Sequence, residues 1–485
     1  MEKCAAESRG FSDVMNFKRC LQILPEFRNS ATIKAASTSS IPTRNPYRAI
    51  LRRDYPEPLI ALLAFILGIW LWDHYFGKSA GYPPGTEEVA LVKIDRDLRL
   101  ADAMEGDPAW LRRLVGVDAP AAVRRDGLLA LQKLAADGSM SLPGLEAYAI
   151  LNAVHKQQPV RETLAETMQG RMISGFVEKS EKLTSHQGRW WHARWIEEIE
   201  QGTPSACQWQ EAYAADSRQL RTRALFARSW VWLLGLAGVA FIPRTLVELK
   251  RGLRAKPRGY GGAWPLPLGM VVFLVATLAW IGFTMTLDLG ISALPGLHPL
   301  AGILLDSAAR MLPALIALGL LFRRPSHAVR VMGLARSIAP KAILGVFALL
   351  MLIDLMLRAA IGDGNSSEPG GGLSAGDAGI WGLAFAVVSA CLLAPLAEEL
   401  LYRGVLFRSL WNRLGVLSAA LLSSLVFAVL HFYDGYGLVS VGVFGMSCAL
   451  LYAATGSLAA CIGLHVLYNS AIKLPEWLIY HAALG

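Results

Sequence analysis

Charged residues are scarce in this chain, and acidic ones are scarcer than basic ones. Charged residues make up 18% of the 485 residues, whereas 54% are hydrophobic. A typical soluble domain has about 25% charged residues, so this balance predicts a polytopic membrane protein. Cysteine is also sparse, with six residues and no CxxC pair. The sequence therefore indicates neither a disulfide framework nor a thiolate metal site.

The deficit of acidic residues leaves a formal net charge of +9. The basic residues do not form a separate patch, because they flank apolar runs. This distribution follows the positive-inside rule of membrane proteins. We therefore expect a lipid bilayer and no nucleic acid as partner, and an integral multi-pass protein with its N-terminus in the cytoplasm. The Ala-, Arg- and Gly-rich composition favours a bacterial inner membrane. The flanking residues are Arg44, Arg48, Arg52, Arg53, Arg244, Lys250, Arg251, Arg254, Lys256, Arg258, Arg323 and Arg324.

The order of apolar and charged stretches predicts the domain organisation. Residues 77–225 carry charges of both signs with helical periodicity, which predicts a mostly helical extramembrane domain. This domain could bind a protein partner or simply cover the membrane core. The other predicted segments are a disordered basic segment at 1–57, a first transmembrane helix at 58–76, accessory transmembrane helices at 229–360, a flexible Gly/Ser-rich loop at 361–379 and a last membrane core at 380–475.

These segments predict an all-α fold class. The fold is a polytopic membrane helix bundle of about 8–9 spans, with an inserted, mostly helical soluble domain.

Two adjacent glutamates and an arginine lie at the end of the apolar run that starts at Ile380. Ionisable groups at membrane depth are costly and therefore indicate a function. On a helix, Glu399 and Arg403 are four residues apart and can form an ion pair. Glu398 points about 100° away from them. We predict that Glu398 is a catalytic base and that Glu399 and Arg403 support it.

Two later apolar runs carry further polar residues. Phe427 and His431 close one run in an FxxxH spacing, and His465 and Asn469 share a helix face in an HxxxN spacing. Peptide hydrolysis needs an activated water, a proton for the leaving amine and stabilisation of an oxyanion. Glutamate, histidine and asparagine side chains can supply these functions. Pro395 should bend the helix that leads to Glu398.

The motifs EExxxR, FxxxH and HxxxN, in this order on three hydrophobic segments, resemble the CPBP family. This family of intramembrane proteases includes the type II CAAX prenyl endopeptidases, the bacteriocin-processing enzymes and the lysostaphin-resistance-type proteins. The resemblance covers about residues 380–473 and implies an endopeptidase that cleaves membrane proteins or peptides. It implies that Glu398 is the base. It also implies that His431, His465 and Asn469 position water and stabilise the oxyanion.

The need for a metal and the class of function have alternatives. The chain has no HExxH motif and its two motif histidines lie on different helices, so we expect no cofactor. Zinc held by Glu398, His431 and His465 is the alternative. Intramembrane carboxylates and histidines also form proton relays, so a proton-coupled transporter is a second candidate. A non-catalytic scaffold or immunity protein is a third. The pairs Asp306–Arg310 and Asp354–Arg358 are predicted to be ion pairs within single helices.

Overall fold

The computed structural model describes residues 57–75, 86–136, 140–160, 162–163, 189–199, 204–254, 264–293, 299–361, 379–431, 433 and 435–481. Helices are the only regular secondary structure in these ranges. The predicted disordered segment lies outside the described residues up to residue 56. The predicted flexible loop lies outside them from residue 362 to residue 378.

Sixteen helices are numbered here within the described ranges. They are α1 (Glu57–Tyr75), α2 (Thr86–Ala103), α3 (Ala109–Val115), α4 (Pro120–Ala136), α5 (Leu142–Lys156), α6 (Trp190–Ile199), α7 (Pro204–Val239), α8 (Ile242–Leu253), α9 (Leu266–Ala293), α10 (Pro299–Leu321), α11 (Pro325–Val331), α12 (Pro340–Ile361), α13 (379–414), α14 (Val416–Val429), α15 (Gly435–Thr455) and α16 (Leu458–Tyr480).

The apolar helices form a polytopic membrane bundle. Within the described residues, six helices are long and apolar enough to cross a bilayer, namely α9, α10, α12, α13, α15 and α16. The pair α7 and α8, bent by 66°, could form a seventh span, and α1 and α14 contain shorter apolar stretches. The predicted all-α membrane bundle is confirmed. The lower end of the predicted 8–9 spans is reached only when the bent pair and α1 are also counted.

Helices α2, α4, α5 and α6 bury a hydrophobic core of their own. Buried carboxylates hold α6 against α2. Asp95 Oδ1 accepts hydrogen bonds from the Trp190 backbone N–H at 2.6 Å and from Arg99 Nε at 3.1 Å. Asp102 Oδ2 accepts one from the Trp190 indole at 2.6 Å. Because buried charges require such partners, these bonds fix how the two helices pack.

This helical unit packs directly on the membrane bundle. Helix α7 is continuous over 36 residues and runs through the predicted boundary at residues 225–229. Near its middle, the Arg221 guanidinium donates to both Asp107 oxygens at 2.7 Å. Leu100, Leu220 and Ile479 share one buried cluster, which joins α2 and α7 to the end of α16. The helical unit therefore holds one end of the helix that carries His465 and Asn469.

Helix α14 is too short to cross the bilayer. Its 14 residues rise about 21 Å, which is less than the roughly 30 Å hydrocarbon core. It begins after Gly415, whose φ of 84° is a left-handed conformation that favours glycine. His431 follows its last turn. A helix of this length can therefore end inside the hydrocarbon core, and we expect His431 at that depth.

The stability of the helical unit should depend on pH through Glu146, a side chain on α5 that is only 7% exposed. Burial raises its pKa from 4.5 to about 7. The folded chain thus holds this proton more tightly than the unfolded chain, so the contribution to stability is full below pH 4.5 and is lost as pH rises through 7. We expect Glu146→Gln to leave stability unchanged near pH 4.5 and to raise it by about 3 kcal/mol at pH 8.

Limited proteolysis of the protein in detergent at both pH values measures the stability of this helical unit. Cleavage sites between residues 86 and 199 are mapped by mass spectrometry. Asp126→Asn, at a half-exposed carboxylate on α4, is the control. An equal pH dependence in Glu146→Gln and the parent chain would contradict the prediction.

Candidate active site

Helix α13, which carries both glutamates, is not a regular α-helix. It is a π-helix over Ser389–Leu393 and again over Glu399–Phe407, with an α-helical turn, Ala394–Glu398, between them. In a π-helix each N–H bonds to the carbonyl five residues earlier, and such stretches often occur at functional sites. Pro395 lies between the two stretches and has no N–H to donate. Glu398 and Glu399 therefore lie where the helix changes from α to π.

Glu399 and Arg403 form a fully buried ion pair. Arg403 Nη1 lies 2.9 Å from Glu399 Oε1, and the two side chains are 1% and 0% exposed. The guanidinium also lies over the Phe427 ring, 4.4 Å from its centroid, where it gains a cation–π interaction. Gly445 makes room for this group, because a Cβ there would lie 3.1 Å from Arg403 Nη2.

His465 binds the same carboxylate from α16. Its Nδ1 lies 2.9 Å from Glu399 Oε1, and the carboxylate accepts this hydrogen bond. The ring is therefore held with Nε2 facing away from Glu399. His465 Nε2 points to Glu398, whose Oε2 lies 3.7 Å away.

Glu398 has no such fixed partner. Its side chain is 26% exposed, and Oε2 lies 3.9 Å from His431 Nε2 as well as 3.7 Å from His465 Nε2. Both distances exceed that of a hydrogen bond. Among the described residues, Oε2 has no hydrogen-bond partner. The two Nε2 atoms thus lie near the same carboxylate oxygen.

His431 is oriented by its own helix. Its Nδ1 lies 2.6 Å from the Phe427 carbonyl, which can only accept, so Nδ1 carries the proton. In the neutral ring Nε2 is then an acceptor. The ring also packs on Phe427, with centroids 4.5 Å apart. The FxxxH spacing therefore places both the packing partner and the orienting carbonyl one turn before the histidine.

Asn469 does not join these five side chains. Its Nδ2 donates to the Ala390 carbonyl of α13 at 2.9 Å. The structure therefore brings together Glu398, Glu399, Arg403, His431 and His465, and it places the sixth predicted residue against the backbone above them.

Two residues that pack around the site, Phe444 and Gly445, were not predicted from the sequence. The Phe444 ring packs on His465 at 4.7 Å and stacks on Tyr468 at 4.5 Å. Gly445 admits the Arg403 guanidinium. Both Phe444 and Gly445 lie on α15, where they belong to no polar motif, so no sequence signal marked them.

The two other intramembrane ion pairs form within their helices. Arg310 Nε lies 2.7 Å from Asp306, and Arg358 Nε lies 2.8 Å from Asp354. Asp354 also accepts a hydrogen bond from the Tyr436 hydroxyl on α15. The second pair therefore links two helices, which the spacing alone did not indicate.

The spacing of Glu398, His431 and His465 decides whether these side chains could hold a zinc ion. Ligand atoms of one tetrahedral zinc lie about 3.3 Å apart, closer than the 3.7 and 3.9 Å that separate Glu398 Oε2 from the two Nε2 atoms. No group of three or more His, Cys, Asp or Glu side chains in the described part of the chain is arranged to hold a metal. As placed, these atoms are more widely separated than the ligands of a bound zinc ion, and a metal-free reaction stays a prediction.

Loss of Arg403 should destabilise the bundle strongly. Arg403→Met leaves the Glu399 carboxylate buried without its cation, which typically costs about 3–5 kcal/mol. Arg244→Met is the matched control, since Arg244 and Glu248 form an exposed pair with the same spacing, typically worth at most about 1 kcal/mol.

Unfolding in a denaturing detergent titration measures both variants. The double variant Glu399→Gln with Arg403→Met should recover part of the loss, because no charge then remains unpaired. Equal effects of Arg403→Met and Arg244→Met would show that the buried pair contributes no more than an exposed one.

The segment that carries these residues is similar to known proteins. Residues 380–471 match the family model described as type II CAAX prenyl endopeptidase Rce1-like. A protein of Bacillus subtilis (strain 168) named "Putative membrane peptidase YdiL" is 26% identical over 90 residues, which cover 19% of this chain and 36% of that protein. The chain thus matches about a third of the length of this curated relative. No solved structure matches the chain. The resemblance indicated by the three motifs is confirmed over residues 380–471, a membrane-embedded segment similar to the type II CAAX prenyl endopeptidases.

Proposed function

We propose that this integral, multi-pass membrane protein is an intramembrane endopeptidase that hydrolyses membrane-associated proteins or peptides. The observation that carries the proposal is that Glu398 Oε2 lies 3.9 Å from His431 Nε2 and 3.7 Å from His465 Nε2. The family match and the relative's name support a peptidase over a transporter or a scaffold.

The spacing suits a bridging water. A water between Glu398 and His431 can donate one proton to Glu398 Oε2 and the other to His431 Nε2, which accepts because Nδ1 donates to the Phe427 carbonyl. Its oxygen lone pair is then free to attack a peptide carbonyl carbon. Glu398 takes the proton as the water attacks, and acts as general base.

Glu399 contributes to stabilisation of the oxyanion through its hydrogen bond with His465. The Glu399 carboxylate accepts from Nδ1 and so directs Nε2 away from itself. A proton on Nε2 would make this nitrogen a donor for the developing oxyanion. Glu398 then returns its proton to the leaving amine as the C–N bond breaks.

Glu398→Gln should abolish cleavage, because the amide cannot accept the proton from water. General base catalysis is typically worth about 10²–10⁴-fold. Protein N- and C-termini are compared in cells that carry the parent chain, Glu398→Gln or the control Glu248→Gln at matched membrane levels. We expect new termini with the parent chain and with the control only.

The result contradicts the proposal if the parent chain and Glu398→Gln give the same termini under every growth condition while both are folded. Cleavage by purified protein is then followed with and without a chelator. Loss of activity that zinc restores would replace the metal-free mechanism by one with Glu398, His431 and His465 as ligands.

We also propose a bacterial inner membrane location, with the N-terminus and the basic stretch after α10 in the cytoplasm. The basic charges beside the apolar runs support this orientation. Cys207, a free and exposed thiol at the start of α7, then faces the other side. In a chain with Cys4→Ser and Cys20→Ser, a membrane-impermeant maleimide should label Cys207 in intact cells. Arg324→Cys in a Cys207→Ser background should be labelled only after the cells are opened, and the reverse pattern would invert the orientation.

A further inference from the structure

The carbonyl of Ala390 in α13 lacks both of its regular helical donors. In an α-helix its donor would be the N–H of Ala394, but that group donates to Ser389, five residues earlier. In a π-helix its donor would be the N–H of residue 395, which is proline and has none. The first π stretch ends at Leu393, as this missing donor requires.

Asn469 supplies the missing donor from a neighbouring helix. Its Nδ2 lies 2.9 Å from the Ala390 oxygen, within the range of a good hydrogen bond. At membrane depth, water is a poor substitute for such a partner. The bond therefore joins α16 to a point where the ladder of α13 is broken.

Helix α16 thus holds α13 at two points, one turn apart on its own face. Asn469 binds Ala390, and His465 binds Glu399 at 2.9 Å. Pro395 and Glu398 lie between these two points. The direction of the Glu398 side chain follows from the backbone between them.

We infer that Asn469 is a positioning residue, whose amide replaces the hydrogen bond that Pro395 cannot make and thereby sets the direction of the Glu398 carboxylate. This inference rests on the proposed function and deepens it. It differs from the oxyanion role that the family resemblance implies, in which Asn469 would contact the substrate. In a positioning role, the effect of losing Asn469 depends on the missing N–H of Pro395. In an oxyanion role, it does not.

The test is rescue by a second substitution. Asn469→Ala should lower kcat by about 10²-fold through misplacement of Glu398, with KM unchanged. Pro395→Ala creates an N–H that can donate to Ala390, so Pro395→Ala with Asn469→Ala should recover most of the lost kcat. Pro313→Ala with Asn469→Ala is the control, since Pro313 interrupts another helix and should give no recovery. Rates are measured on a fluorescence-quenched peptide that spans the cleavage site found by the comparison of termini.

A double variant as slow as Asn469→Ala, with Pro395→Ala itself active, would overturn the inference and assign Asn469 to the substrate. Hydrogen exchange measured by mass spectrometry gives a second readout that needs no substrate and no folded Pro395→Ala protein. Asn469→Ala should increase exchange over residues 391–399 relative to the parent chain, and unchanged exchange there would also overturn the inference. If the parent chain cleaves no peptide, the proposed function fails, while exchange still decides whether Asn469 holds α13.

Discussion

The buried ion pair between Glu399 and Arg403 is the interaction on which the rest of the site depends. A carboxylate that is fully buried must have a cation close by, or its desolvation is not compensated. Arg403 provides that cation at 2.9 Å, and Phe427 and Gly445 on two other helices provide the space and the ring face that the guanidinium needs. The pair therefore determines how α14 and α15 pack against α13, and it leaves Glu398 as the carboxylate without a fixed partner.

The different roles of Glu398 and Glu399 follow from the exposure of their side chains and from their partners. Glu399 is 0% exposed and accepts from both Arg403 and His465, whereas Glu398 is 26% exposed and contacts neither at hydrogen-bond distance. A proton acceptor in hydrolysis must reach water and must not be neutralised by a permanent cation. Of the two, only Glu398 is partly exposed and has no cation at hydrogen-bond distance, so burial and pairing favour different roles for two adjacent residues of the same type.

Local spacing predicted part of this site, and long-range contacts could not be predicted. The Glu399–Arg403 pair and the long apolar helices depend on neighbours within a few residues, which the sequence displays. The bond from His465 to Glu399 spans 66 positions and depends on how α16 crosses α13. Pro395 indicated an irregular helix, but the π register around it depends on the packing of several helices. Phe444 was not predicted, because an apolar residue on an apolar helix carries no distinguishing pattern.

Helix α16 also connects the site to the helical unit of α2, α4, α5 and α6, and the two connections lie in different parts of α16. His465 and Asn469 lie in its first half. Trp477 and Tyr480, at its end, are buried with Val89 of α2. Pro475 lies between them inside the helix and removes one hydrogen bond of the ladder, which makes this the natural position for a bend. We therefore expect a shift of the helical unit to bend α16 first at Pro475, and the two hydrogen bonds that hold α13 lie on the other side of that position. Proline thus creates the need for Asn469 in α13 and marks the expected bend in α16.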